Sequence, residues 1–269
     1  MWKESLFFQI ADYLRRDALQ FLFIVFIVLT VVIADKRGFT SLLGMGISFL
    51  VIFFFILPQI LAGYSPILIA ILGSLLIIPI SFFLSHGFNQ KTFAAIAGTL
   101  ISLVITGILA VVFIEAAKLT GFASEKAGFL QVAGQGTINI KGLLLAGIII
   151  VVLGVLDGIT ISQSAIVFQL KEANRNFSSK DLYKWAMSIG KDHISSMVNT
   201  LILVYTGASL PLLLLFVNNP YPFSQVINYE IIADEMVRTL VGSIGLVLAV
   251  PVTTLIAATL AVKKYAKTS

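Results

Sequence analysis

The sequence has no cysteine and only two histidines, His86 and His193. Disulfide frameworks, thiolate chemistry and Cys/His zinc sites therefore lack their raw material. Charge is equally scarce: 12% of the 269 residues are Asp, Glu, Lys or Arg, where a soluble domain carries roughly a quarter. Neither H-E-x-x-H nor G-x-S-x-G occurs, and only one acidic residue lies deep in an apolar run, so an aspartyl dyad would lack its second carboxyl. Gly134-Gln135-Gly136 is followed by no Gly-Lys-Ser/Thr and is not a phosphate loop. The expectation is a protein that is not an enzyme and that uses no metal or cofactor.

What the sequence does have is apolar length. Hydrophobic residues make up 58% of the chain and the mean hydropathy is +1.02, which places it among integral membrane proteins. The formal charge of +5 does not argue for nucleic acid, because the Lys and Arg residues sit at the ends of apolar runs. The expected fold is an all-α polytopic bundle of about seven transmembrane helices in one domain over 18–262. Its spans fall at about 18–34, 42–61, 66–84, 92–119, 142–168, 193–217 and 240–262, each near or above the ~20 residues that cross hydrocarbon as a helix. An interfacial amphipathic helix is expected over 1–17, where Leu6, Ile10, Tyr13 and Leu14 share a face. A cytoplasmic amphipathic connector is expected over 169–192, and a basic tail over 263–269.

Seven spans put the termini on opposite sides. The side with the N-terminus collects seven Lys and Arg residues and the other side eleven. The positive-inside bias then makes the N-terminus external and the C-terminus and the connector cytoplasmic. In the connector, Ser179 reads as an N-cap and Leu182, Trp185, Ala186 and Ile189 as one apolar face, with Lys180, Lys184 and Lys191 on another. Such a helix either lies on the membrane surface or is a solvated spacer.

Asp157 lies near the middle of the fifth span, with Thr160 and Ser164 on almost the same face and Gln163 at its border. An ionised carboxyl there costs at least about 2.5 kcal/mol, so it is paired, hydrated or protonated for a purpose. Gly154 and Gly158 widen the stripe and are expected to let a neighbouring helix approach. Ser196, Asn199 and Thr206 form a polar stripe on the sixth span, which makes Asn199 the expected neighbour of Asp157. The candidate ion or proton path is thus Asp157, Thr160, Ser164, Gln163, Asn199 and Thr206. The competing reading is a polar lock between two helices. Glu115, with Lys118 three residues on, and His193 at a membrane boundary are weaker candidates. Glu230, Asp234 and Glu235 read as a solvated acidic loop, and Pro211 and Pro251 as kinks.

Several stretches resemble the YibE/F family of bacterial membrane proteins: 153–157, 188–192 and 199–216, together with Pro58, Gly63-Tyr64-Ser65-Pro66 and Thr120-Gly121 with Glu125. The resemblance covers nearly the whole chain. It implies a bacterial inner-membrane location and a short family member whose partner is a longer paralogue carrying an extracytoplasmic domain. The Gly-x-x-Asp helix followed by a connector and a helical hairpin is also similar to the six-helix membrane unit of SecD, SecF and related RND transporters. That similarity implies a proton-path role for Asp157, although the outer domain between the first two helices of that unit is absent. Two readings follow: a subunit of an ion- or proton-coupled transport or export system, or a non-transporting scaffold, as a homo-oligomer or a hetero-pair.

Overall fold

The computed structural model describes residues 14–123, 125–133, 136, 138–217 and 221–266. Among these every regular element is helical: α1 (Arg16–Val51), a π-helical stretch (Ile52–Ile56), α2 (Leu57–Leu61), α3 (Pro66–His86), α4 (Gln90–Ala116), α5 (Glu125–Ala133), α6 (Ile140–Ala173), α7 (Ser179–Ala208), α8 (Leu210–Val217), α9 (Phe223–Val226) and α10 (Glu230–Ala266). The all-α bundle is thus the observed class. The helix expected over 1–17 lies almost wholly outside the described residues, and so does the end of the 263–269 tail; the part described continues α10.

Among the described residues five helical stretches are long and apolar enough to cross a membrane: Arg16–Leu61, α3, α4, α6 and Glu230–Tyr265. The difference from seven has two sources. The first stretch contains both runs expected at 18–34 and 42–61, and it is broken at Asp35, whose φ of 51° and ψ of −139° are not helical. In an unbroken helix Thr30 and Gly38 would lie about 12 Å apart; here a methyl on Gly38 would run into the Thr30 carbonyl. The chain therefore doubles back at Asp35-Lys36-Arg37-Gly38, and Gly38 is what admits the close approach. Residues 16–34 keep most of their large apolar side chains exposed, as in Phe21 at 70% and Ile33 at 80%.

The second source is α7. The connector expected over 169–192 is helical at both ends: α6 continues to Ala173, and after a short turn α7 runs unbroken into the expected sixth span. Its polar first half lowers its hydropathy. The N-cap is Ser178, one residue before the expected Ser179, and it forms a reciprocal capping box with Asp181. The hydrogen bonds from Ser178 hold the exposed Asp181 carboxyl below the usual carboxylate range. Buried Lys171 closes the turn by donating from Nζ to the carbonyls of Arg175 and Phe177, at 2.5 and 2.7 Å. The buried residues of α7 are Leu182, Ala186, Gly190 and Leu201, whereas Trp185 and Ile189 are exposed.

At the centre, α4, α6 and α10 pack on one another most extensively. Their contact faces carry small and hydroxyl residues at helical spacing: Ala95, Gly98, Thr99, Ser102 and Thr106 on α4, and Gly245, Ala249, Thr253 and Ala257 on α10. Gly98 faces Thr253 and Gly245 faces Thr106, at separations that leave no room for a Cβ. Ile114, Ile148, Leu156 and Leu246 fill the rest of the core. Around this trio, α3 lies against α6, α1 against α3, and α7 against α10 and α6. Gly73 of α3 takes the Ile56 side chain of the π-helical stretch.

Candidate functional site

The polar stripe on α6 exists, but its members meet different helices. Thr160 Oγ1 lies 2.7 Å from Thr99 Oγ1 of α4 and donates within its own helix to the Leu156 carbonyl. Ser164 Oγ donates to the Lys91 carbonyl at 2.8 Å. Gln163, fully buried, donates from Nε2 to the Ala186 carbonyl of α7 at 2.9 Å and to Thr254 Oγ1 of α10 at 2.8 Å. These three side chains cross-link the bundle. Each is satisfied by a partner that is fixed in the fold, as buried polar groups require, although Gln163 Oε1 has none.

Asp157 is placed differently. Its side chain lines a chamber of about 170 Å³ between α1, the π-helical stretch, α3 and α6, with Ser48 and Ser81 as the other polar groups and Ile52, Ile78 and Leu153 among the apolar ones. Among the described residues its carboxyl makes no hydrogen bond or ion pair. The neighbouring π-helical stretch gives this side of the chamber an irregular wall, a feature that often accompanies functional sites. Ser81 and Ser85 lie one turn apart on α3 and face Gly44 of α1, where an added Cβ would be 3.4 and 3.5 Å from their hydroxyls.

Three expectations are corrected here. Asn199 and Thr206 lie on the exposed face of α7 and not beside Asp157, because α7 turns its small residues, Ala186 and Gly190, toward α6 and α10. Gly154 and Gly158 admit no neighbouring helix, since a Cβ on either would meet nothing within 4 Å; Gly154 instead opens onto the Asp157 chamber. Glu115 pairs with Lys141 at 2.6 Å and not with Lys118, whose φ of 53° takes it off the helix. His193 is half-buried on α7 with Nδ1 unpartnered.

The acidic segment is not a solvated face either. Glu230 accepts from the backbone of Thr120, from Thr120 Oγ1 at 2.7 Å and from the Gly121 backbone at 3.0 Å, tying the loop after α4 to the start of α10. Asp234 is only 9% exposed. Sequence reasoning missed Ser48 and Ser81 because each is a lone hydroxyl in an apolar run. The spacing of Ser74, Ser81 and Ser85 along one side of α3 was the available signal.

No curated protein and no solved structure matches the chain. A family model described as YibE/F-like protein matches residues 22–263. That match takes in the chamber, the cross-linking stripe and all but the outer ends of the candidate spans among the described residues, and the chain belongs to the YibE/F-like family of multi-helix membrane proteins.

Proposed function

We propose that the protein is a membrane subunit of an ion- or proton-coupled transport or export system, with Asp157 as its coupling carboxylate. The observation that carries this reading is the Asp157 carboxyl, without a hydrogen bond or ion pair among the described residues, on the wall of a chamber that also presents Ser48 and Ser81. A carboxyl kept only to lock two helices belongs in a hydrogen bond across their interface, which is where Gln163 sits. Ser81 and Ser85 lead along α3 from the chamber toward His86, and so mark an entry route at the end of the molecule where α6 meets α7. The Lys and Arg bias makes that end cytoplasmic in a bacterial inner membrane. Thr160, Gln163 and Ser164 support the α6 backbone on which Asp157 is mounted.

The exposed Ser196, Asn199 and Thr206 on α7 would be costly against lipid tails, so this face suits a partner helix in a second copy or a longer paralogue. The reading is tested by carbodiimide labelling of Asp157 in membranes across a pH series, with mass spectrometry locating the adduct. Labelling is expected in the wild type, absent in Asp157→Asn, and suppressed in Gly154→Leu, whose side chain would occupy the chamber. A carboxyl that never labels, or labels regardless of pH, sinks the coupling role and leaves the scaffold reading.

A further inference from the structure

At the opposite end of the bundle, below the turn that Glu230 holds, α5, α6, α10 and the loop after α4 line a separate open cavity of about 290 Å³. Asp234 lines it, and the Asp234 Oδ1 atom is buried with no hydrogen-bond partner. One turn on, Arg238 lines it as well, and its Nε is also buried and unbonded: Glu235 Oε2 lies 3.7 Å away, an ion-pair distance too long for a hydrogen bond. Exposed Lys126 stands at the rim. The remaining wall is apolar, with Leu130 from α5 and Leu143 and Leu144 from α6, and Gly147 leaves open space beside it.

Two cationic and two anionic side chains thus line one largely apolar cavity, and the buried Asp234 carboxyl and Arg238 guanidinium each keep an atom without a hydrogen bond, so the protein leaves these charges short of the partners that buried charges require. A simple cation would be repelled by Arg238 and Lys126, and a simple anion by Asp234 and Glu235. A zwitterion satisfies both pairs. The apolar wall runs along α6 toward the membrane interior, so the zwitterion should carry hydrocarbon.

We infer that this cavity holds the headgroup of an aminophospholipid, with its primary ammonium on Asp234, its phosphate toward Arg238 and Lys126, and an acyl chain along Leu143, Leu144 and Gly147. The ammonium must be primary, because a trimethylated one has no N–H to give to the Asp234 carboxylate. This site is independent of the role given to Asp157.

The test is delipidation of the purified full chain in detergent, followed by native mass spectrometry and thermal unfolding with added phosphatidylethanolamine, phosphatidylcholine or phosphatidylglycerol. Phosphatidylethanolamine is expected to bind about tenfold or more tightly than the other two, as loss of a charge-assisted hydrogen bond implies, and to raise the melting temperature most. Asp234→Asn should remove that preference. Gly147→Leu, which fills the cavity where no atom stands in the way, should remove the binding even if Asp234→Asn fails to fold. Equal binding of the three lipids, or undiminished phosphatidylethanolamine binding in Gly147→Leu, overturns the proposal. So does equal stabilisation by free phosphoethanolamine, which would make the ligand a soluble zwitterion and not a lipid.

Discussion

A methyl group added at Gly98 would strike the Thr253 hydroxyl and come within 3.1 Å of the Thr253 Cα, whereas the same methyl at Gly158 meets nothing within 4 Å. The first site is closed by backbone, which cannot swing aside, so Gly98→Ala must push α4 and α10 apart. The expected cost is about 1–3 kcal/mol, the usual range for overpacking. Gly158→Ala should be neutral or stabilising by up to about 1 kcal/mol, since it only removes glycine's backbone freedom from a helix. Thermal unfolding of the two variants in the same detergent checks the pair; equal destabilisation would show that the helices around α6 are arranged differently. Spacing in the sequence reveals that Gly154 and Gly158 lie on one face of a helix, but not which face a neighbour uses. That choice was made by the longer run of small and hydroxyl residues on α4, which finds its match on α10. Asp157 was legible as an intramembrane carboxyl and its chamber was not, because one residue's cost is local, whereas the chamber joins residues 48–52 and 77–82 to α6, far away in sequence.

At the scale of the element, the helix starts are set by side chains that stand in for missing backbone bonds. Asn89 accepts from the Thr92 N–H at 3.0 Å and Asn139 from the Gly142 N–H at 2.8 Å, and each opens a helix of the core. Asn89→Ala should lower stability by about 1 kcal/mol, read as a shifted unfolding midpoint, while Asn89→Asp should restore most of it; an unchanged midpoint in the alanine variant would mean that water replaces the cap. The boundary of α7 shows where a pattern misleads. Lysines and a tryptophan gave residues 179–192 the look of a detached surface helix, and the hydrophobic run after them the look of a separate span. Nothing in between breaks a helix, since Gly190 is held between Val250 and Gln163, and so the two join. The reversed case is Arg16–Leu61, where the charged run Asp35-Lys36-Arg37-Gly38 separates two apolar runs in the sequence and the chain bends sharply at that run.

At the scale of the molecule, stability is concentrated in α4, α6 and α10 and thins outward through α3, α7 and α1. Residues 16–34 contribute no fully buried side chain. Deleting residues up to 34 should therefore leave the unfolding midpoint of the bundle in detergent within a few degrees of the full chain, as expected when no apolar area is lost from the core. A collapse of stability would place this segment against a surface that the intact chain shares with another copy. The class of the fold, its membrane habitat and the family were all legible in composition and in a few dispersed stretches. The side of each helix that faces its neighbours was not, because in lipid both faces of a helix are apolar and only small differences in residue size decide how it packs.

One consequence of the α7 arrangement is mechanical. The helix is a single beam of 30 residues, about 45 Å long, and it is pinched at Gly190, where an added Cβ would lie 2.6 Å from Val250 Cγ1 and 3.0 Å from Gln163 Nε2. That contact lies off centre, about 16 Å from Ser179 and about 27 Å from Ala208. Were the beam to tilt about that contact, a displacement of the short arm, where Trp185 and Lys180 and Lys184 are exposed, would be enlarged by roughly 1.6-fold at the far end, beside the stretch of α10 that carries Gly242 next to the Tyr205 hydroxyl.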